Sequence, residues 1–344
     1  MSGLTGRGRK SETGRKAREE AELSALDARA RSTGEAGDAA GARDQYAALV
    51  PLCGRAFGPE HPLTLTACAG LARWTGAAGD AAGARDQYAA LLPVRERILG
   101  AEHPDTLTTR ASLAYYTGKA GDAAAARDQY AALLPVDERV LGPEHPDTLV
   151  TRGQVARWAG EAGDAAGARD QFAVLLPVDE RVLGPVHRHT LAARYNLARW
   201  TGAAGDPAAA RDQLVALVPL CERALDPEHT ETVNSRKNLA FCAGEAGDAA
   251  GARDQYAALL PVDERILGPE HPETLRTRHN LAHWTGKAGD TAAAHDQLAQ
   301  LVPVLERILG PEHPETRAAR SQLADWTKRS ARGHLFRLRS HRVD

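Results

Sequence analysis

No stretch of 18 consecutive apolar residues occurs in the 344-residue chain, so the sequence holds no transmembrane helix. The first residues, MSGLTGRGRKSETGRKAR, carry charges with no apolar stretch behind them. That excludes a secretory signal and points to the cytoplasm. Cysteine is scarce, and Cys53, Cys68, Cys221 and Cys242 form no Cys-x-x-Cys pair. They read as small buried hydrophobes rather than as a zinc site or a disulfide framework. There is no nucleophile with a placed base and no carboxylate pair set for acid–base work. The nearest approach to a phosphate loop, Gly3 to Ser11, is broken by Arg9 between Gly8 and Lys10. The sequence therefore argues against an enzyme and implies no cofactor and no metal. What is present is 43% hydrophobic and 26% charged, which excludes wholesale disorder.

The net charge of −2 hides a division. Residues 1–18 carry Arg7, Arg9, Lys10, Arg15, Lys16 and Arg18 against Glu12. The other end carries Lys328, Arg329, Arg332, Arg337, Arg339 and Arg342 against Asp344. An acidic middle is thus flanked by two basic tails. The reading is a basic disordered tail over 1–18, a folded array over 19–327 and a basic tail over 328–344. Such arms keep a protein soluble; contact with nucleic acid or an anionic surface is the alternative use.

The array is a repeat. Gly37-Asp38 returns at Gly79, Gly121, Gly163, Gly205, Gly247 and Gly289, every 42 residues. The turn histidine returns in the same phase at His61, His103, His145, His187, His229, His271 and His313. A fixed period of this size means a solenoid whose units bury their apolar faces on one another. Each unit reads as two helices. In 104–141, Pro104 and Asp105 open the first helix, and Gly118 and Gly121 end it. Asp122 caps the second, in which Ala126, Tyr130, Leu133 and Leu134 form the buried face. The stripe Tyr46, Tyr88, Tyr130, Phe172 and Tyr256 reads as core. The phased histidines, one per turn, serve helix starts and cannot converge on one metal ion. Pro51, Pro93, Pro135, Pro177, Pro219, Pro261 and Pro303 fall inside the second helices, where a bend is expected and a stop is the alternative. Seven helix pairs and a closing helix from 314 account for the array.

The segment Leu141-Gly142-Pro143-Glu144-His145-Pro146-Asp147-Thr148-Leu149, with Asn280-Leu281-Ala282 ahead of Gly289, resembles the 42-residue tetratricopeptide repeat of the kinesin-light-chain type. The resemblance covers about 19–327. It implies an all-α, right-handed superhelical α-solenoid of seven helix-turn-helix repeats plus a C-terminal capping helix. It also implies a concave groove, lined by the first helices, that holds peptide segments. Thr75, Thr117 and Thr201 depart from the family's usual tyrosine, and Trp74, Tyr116, Trp158, Trp200, Trp284 and Trp326 stand one place earlier. Arrays of this type are also joined to signalling NTPases of the STAND class.

By that resemblance one groove row holds Arg73, Tyr115, Arg157, Arg199, Phe241 and His283. A second holds Ala69, Ala111, Gly153, Tyr195, Lys237, His279 and Ser321, beside Asn196, Asn238 and Asn280. Amide side chains offer both donor and acceptor to a peptide backbone. Lys237 beside Asn238 is similar to pairs that grip a carboxylate. Spacing also puts His279 and His283 on one helix face, but no third ligand matches, so metal is not assigned. The function expected is a non-enzymatic scaffold for an extended, acidic peptide or partner segment. The alternatives are a regulatory module acting with a separate signalling NTPase, and binding through the basic tails.

Overall fold

The computed structural model describes the backbone of residues 5–340 and the side chains of residues 15–328. The chain divides into two compact units, Met1–Asp164 and Ala165–Asp344. The described residues form helices and no strand. Unit 1 holds α1 (Thr5–Glu35), α2 (Ala39–Phe57), α3 (Pro62–Ala77), α4 (Ala81–Leu99), α5 (Pro104–Lys119), α6 (Ala123–Val140) and α7 (Pro146–Glu161). Unit 2 holds α8 (Ala165–Val182), α9 (Arg188–Ala203), α10 (Pro207–Ala224), α11 (Thr230–Glu245), α12 (Ala249–Ile266), α13 (Pro272–Lys287), α14 (Thr291–Ile308) and α15 (Pro314–Ser340). Within each unit every helix packs on the next in sequence. The boundaries expected at 19 and 327 fall inside α1 and α15. The side chains of the two basic tails lie, for the most part, outside the described residues.

Polar caps set the phase of the helices. The second helices start on Asp38, Asp80, Asp122, Asp206, Asp248 and Asp290, and each carboxylate accepts from the amide three residues on. The first helices start on the turn histidines. His103 Nδ1, for instance, accepts from Asp105 N at 3.2 Å. Histidine thus does here what Ser or Asp does elsewhere. The prolines do not stop the second helices: all seven lie inside unbroken ones. Each removes one N–H donor from a helix that continues through it, held on both sides by packing.

The core is renewed in every repeat. Tyr46, Tyr88, Tyr130, Phe172 and Tyr256 are all buried. The tyrosines donate to backbone carbonyls 19 residues earlier, as Tyr130 does to Ala111 O at 2.8 Å. The tryptophans also serve neighbours. A Cβ on Gly34, Gly118, Gly244 or Gly286 would stand within 2.5 Å of the ring of Trp74, Trp158, Trp284 or Trp326. Gly118 therefore does not act as a helix stop. It lies inside α5 and makes the floor on which the next repeat's indole rests. Three of the cysteines are buried and all four are free, as expected of small hydrophobes.

A buried register escapes the apolar pattern. Residues 53, 95, 137, 179, 221, 263 and 305 share one repeat position and read Cys, Arg, Asp, Asp, Cys, Asp and Leu. All are nine-tenths or more buried. Four of them meet the residue 14 places on: Arg95, Asp137, Cys221 and Asp263. Thr151 donates to Asp137 at 2.7 Å and Thr277 to Asp263 at 2.6 Å. Arg95 donates to Thr109 at 2.8 Å.

One turn is strained. Gly58, Gly100, Gly142, Gly184, Gly268 and Gly310 hold φ between +92° and +103° after the second helices, where Asp226 holds +128°. A Cβ is disfavoured in that conformation. Asp226 recovers part of the cost by accepting from Glu228 N at 2.8 Å. Asp226→Gly is therefore expected to stabilise the protein by about 0.5–1 kcal/mol. Chemical denaturation checks this; an unchanged or lower midpoint would show that the side-chain bond outweighs the strain.

Candidate functional site

In unit 1 the first helices bring Arg73 and Tyr115 to one cavity of about 630 Å³. Arg73 lies over the Trp74 ring, 4.9 Å from its centroid. Tyr115 meets Tyr116 edge to face at 5.1 Å and Trp158 at 6.3 Å. Arg157 stands over Trp158 at 5.0 Å and over Tyr115 at 6.0 Å, beside the cavity lining rather than in it. The floor is made of small residues, among them Ala69, Gly70 and Ala111.

In unit 2 a cavity of about 580 Å³ gathers Tyr195, Arg199, Lys237, Asn238, Phe241 and Asn280. Their states differ. Arg199 lies over Trp200 at 4.3 Å. Phe241 is 44% exposed and touches Trp284 edge to face at 6.1 Å. Lys237 is buried, and its Nζ is 2.7 Å from Asp263 Oδ2, which also accepts from Thr277. The charge expected to meet a ligand is thus compensated inside the fold. Asn280 donates to Tyr256 Oη at 3.3 Å, and Tyr256 donates to Lys237 O at 3.0 Å. Asn238 Nδ2 is buried and has no hydrogen-bond partner.

Three other residues of the expected groove lie apart from this cavity. Asn196 turns back on its own helix and donates to Ala192 O at 2.9 Å. His279 and His283 sit toward α15, where the Gln322 amide donates to His283 Nδ1 at 2.5 Å. Burial pushes both imidazoles below their ordinary value, so they are uncharged at neutral pH. Neither histidine therefore adds charge to the row at neutral pH. Asn234, Tyr256, Asp263 and Thr277 also line the cavity and were not singled out from the sequence. The 14-residue spacing of Asp263 and Thr277, which Asp137 and Thr151 repeat, was the available signal.

This is an all-α repeat protein built from 42-residue helix pairs. Tetratricopeptide repeat models match residues 64–105, 106–147, 190–231 and 231–307, more than half of the chain. The chain belongs to the tetratricopeptide repeat family, and its repeats are kinesin light chain-like in fold. No curated protein matches it. Among solved structures it is similar to the repeats of a putative kinesin light chain from Podosopora anserina. The identity there is 22% and the TM-score 0.50, over 60% of this chain and 99% of that one. A Rap protein complexed with competence and sporulation factor shows 13% identity and a TM-score of 0.57, over 89% and 88%. A STAND protein with a tetratricopeptide repeat sensor, from Pyrococcus horikoshii, shows 10% identity and a TM-score of 0.59, over 89% of this chain and 44% of that one.

Proposed function

We propose that the chain is a non-enzymatic scaffold, and that the first-helix face of unit 2 holds an extended peptide segment. The observation that carries this is Asn238. A buried amide donor without a partner is destabilising, and it persists where a ligand supplies the missing acceptor. Asn234 and Asn280 stand in the same cavity and offer further amide groups to a peptide backbone. Tyr195 and Phe241 give apolar footing beside them. Arg199, which lies over the Trp200 ring, lines the same cavity and gives it a cation within reach of an acidic side chain.

The test is titration of an acidic peptide library against the wild type and Asn238→Ala/Arg199→Ala. Binding is expected to weaken by about 1–3 kcal/mol in the double variant, through loss of the amide contact. Its salt dependence is expected to fall with the Arg199 charge. If the best ligands bind both proteins equally, the face assignment is wrong.

A further inference from the structure

The cavity of unit 1 differs in chemistry from the face just assigned. Its room comes from the sequence: Ala69 and Ala111 stand where unit 2 carries Tyr195, Lys237 and His279 at the same repeat position. Its walls are aromatic. The Tyr46 ring lies across Gly70, where an added Cβ would be 2.4 Å away. Tyr88 and Tyr116 stack with centroids 5.8 Å apart.

Three phenols here spend their protons inside the fold. Tyr46 gives its proton to Asp27 O at 3.3 Å, Tyr88 to Ala69 O at 3.2 Å and Tyr116 to Arg73 O at 3.2 Å. Their oxygens keep acceptor capacity, part of it met by Arg31 at Tyr46 and by Ser112 at Tyr88. Asp27, also in the lining, is 6% exposed. Its Oδ2 accepts from Arg31 at 2.7 Å, while its Oδ1 has no partner. A buried carboxylate oxygen without a donor is unfavourable, and a donor-bearing ligand removes the penalty.

The rim charges do not reverse this. Arg31 is half-exposed, Arg73 and Glu35 are exposed, and water screens all three. The nine-tenths-buried charge of the cavity is negative. Unit 1 already places its own guanidiniums on rings of this face, Arg73 on Trp74 and Arg157 on Tyr115.

We propose that the unit 1 cavity binds an organic cation, a guanidinium or alkylammonium group, between its tyrosine rings and the free oxygen of Asp27. This site is separate from the peptide-binding face of unit 2 and does not depend on it.

The test is calorimetric titration of the full chain with methylguanidinium and with the peptide acetyl-Gly-Gly-Arg-Gly-Gly-amide. Saturable binding of both is expected. Asp27→Asn keeps the shape and removes the charge, and is expected to weaken binding at least tenfold. Ala69→Tyr fills the floor with the residue that the repeat itself carries at 195, and is expected to abolish binding. Asn238→Ala/Arg199→Ala is expected to leave it unchanged, which separates this site from the unit 2 reading. Tighter binding of the peptide than of methylguanidinium assigns the cation to a polypeptide partner; equal binding assigns it to a small cation; both support the site. The proposal is overturned if the glutamate analogue of the peptide binds more tightly than the arginine peptide, or if Asp27→Asn binds as the wild type does. Should Asp27→Asn fail to fold for want of its Arg31 pair, unchanged affinity in Ala69→Tyr overturns it alone.

Discussion

Replacing Trp158 by alanine is expected to cost about 3–5 kcal/mol, the range for removing a large aromatic side chain from a packed interior. Trp158 is 3% exposed and packs with Leu107, Ala114, Ala126, Tyr130 and Leu133. Most of that cluster lies in the preceding repeat. The loss is therefore shared between repeats and is felt in α5, α6 and α7 together, as nearest-neighbour coupling in a solenoid requires. Hydrogen exchange gives the readout. Amides of α5 to α7 are expected to lose protection while those of α1 and α2 keep theirs. Equal loss throughout unit 1 would mean that the unit opens as one body.

Gly118 supplies an internal control for that result. An added Cβ there would stand 2.4 Å from the Trp158 ring, so Gly118→Ala must displace the indole. Such overpacking costs about 1–3 kcal/mol when the ring is present. With Trp158→Ala in place the clash is gone. The double variant is thus expected to be more stable than the sum of the single losses implies. Simple additivity would show that glycine and tryptophan do not act as a pair.

Much of the fold was legible because it is periodic. The phase of Gly37-Asp38 and His61 through seven occurrences locates every second helix and every turn without reference to packing. Asp122 sets a helix start by local hydrogen bonding and Pro104 by its fixed φ, both of which a sequence displays directly. The prolines were harder to read. Proline's local effect is to break a helix, and only the tertiary anchoring of both halves keeps α6 continuous through Pro135. Gly118 was read as a stop for a related reason: its partner, Trp158, is 40 residues away in sequence, and local rules do not reach it.

The candidate site was legible in position but not in state. Tyr195, Arg199, Asn238, Phe241 and Asn280 do share one cavity. The pairing of Lys237 with Asp263 depends on a contact across 26 residues, and the neutral state of His283 depends on burial. Neither is a property of spacing along one helix. The aromatic cavity of unit 1 was missed because Ala69 and Ala111, though placed in the groove row, carry no chemistry of their own, and its rings Tyr46, Tyr88 and Tyr130 belong to the stripe that reads as core.

Asp179 shows how the same register yields a second large effect. It is 2% exposed, its Oδ1 has no partner, and the residue 14 places on is Ala193 instead of the threonine that serves Asp137 and Asp263. Burial pushes its carboxyl up to about 6. A carboxyl that binds its proton more tightly when folded penalises folding where both states are ionised. The penalty is full above about 6, fades as the pH falls toward the unfolded value near 3.9, and is absent below it. A shift of about two pH units corresponds to about 3 kcal/mol at pH 7. The chain contains its own remedy, because at the same positions Leu305 faces Ala319 in a fully apolar pair. Asp179→Leu is therefore expected to raise stability at pH 7 by about 2–3 kcal/mol, with the gain shrinking toward pH 4. Ala193→Thr is expected to recover about 1 kcal/mol by donating to the carboxylate, as Thr151 does to Asp137. Urea denaturation of the three proteins at pH 4, 5.5 and 7 decides the matter. A gain for Asp179→Leu that is the same at all three values would show that the benefit is packing alone, and that the buried carboxyl carries no charge penalty.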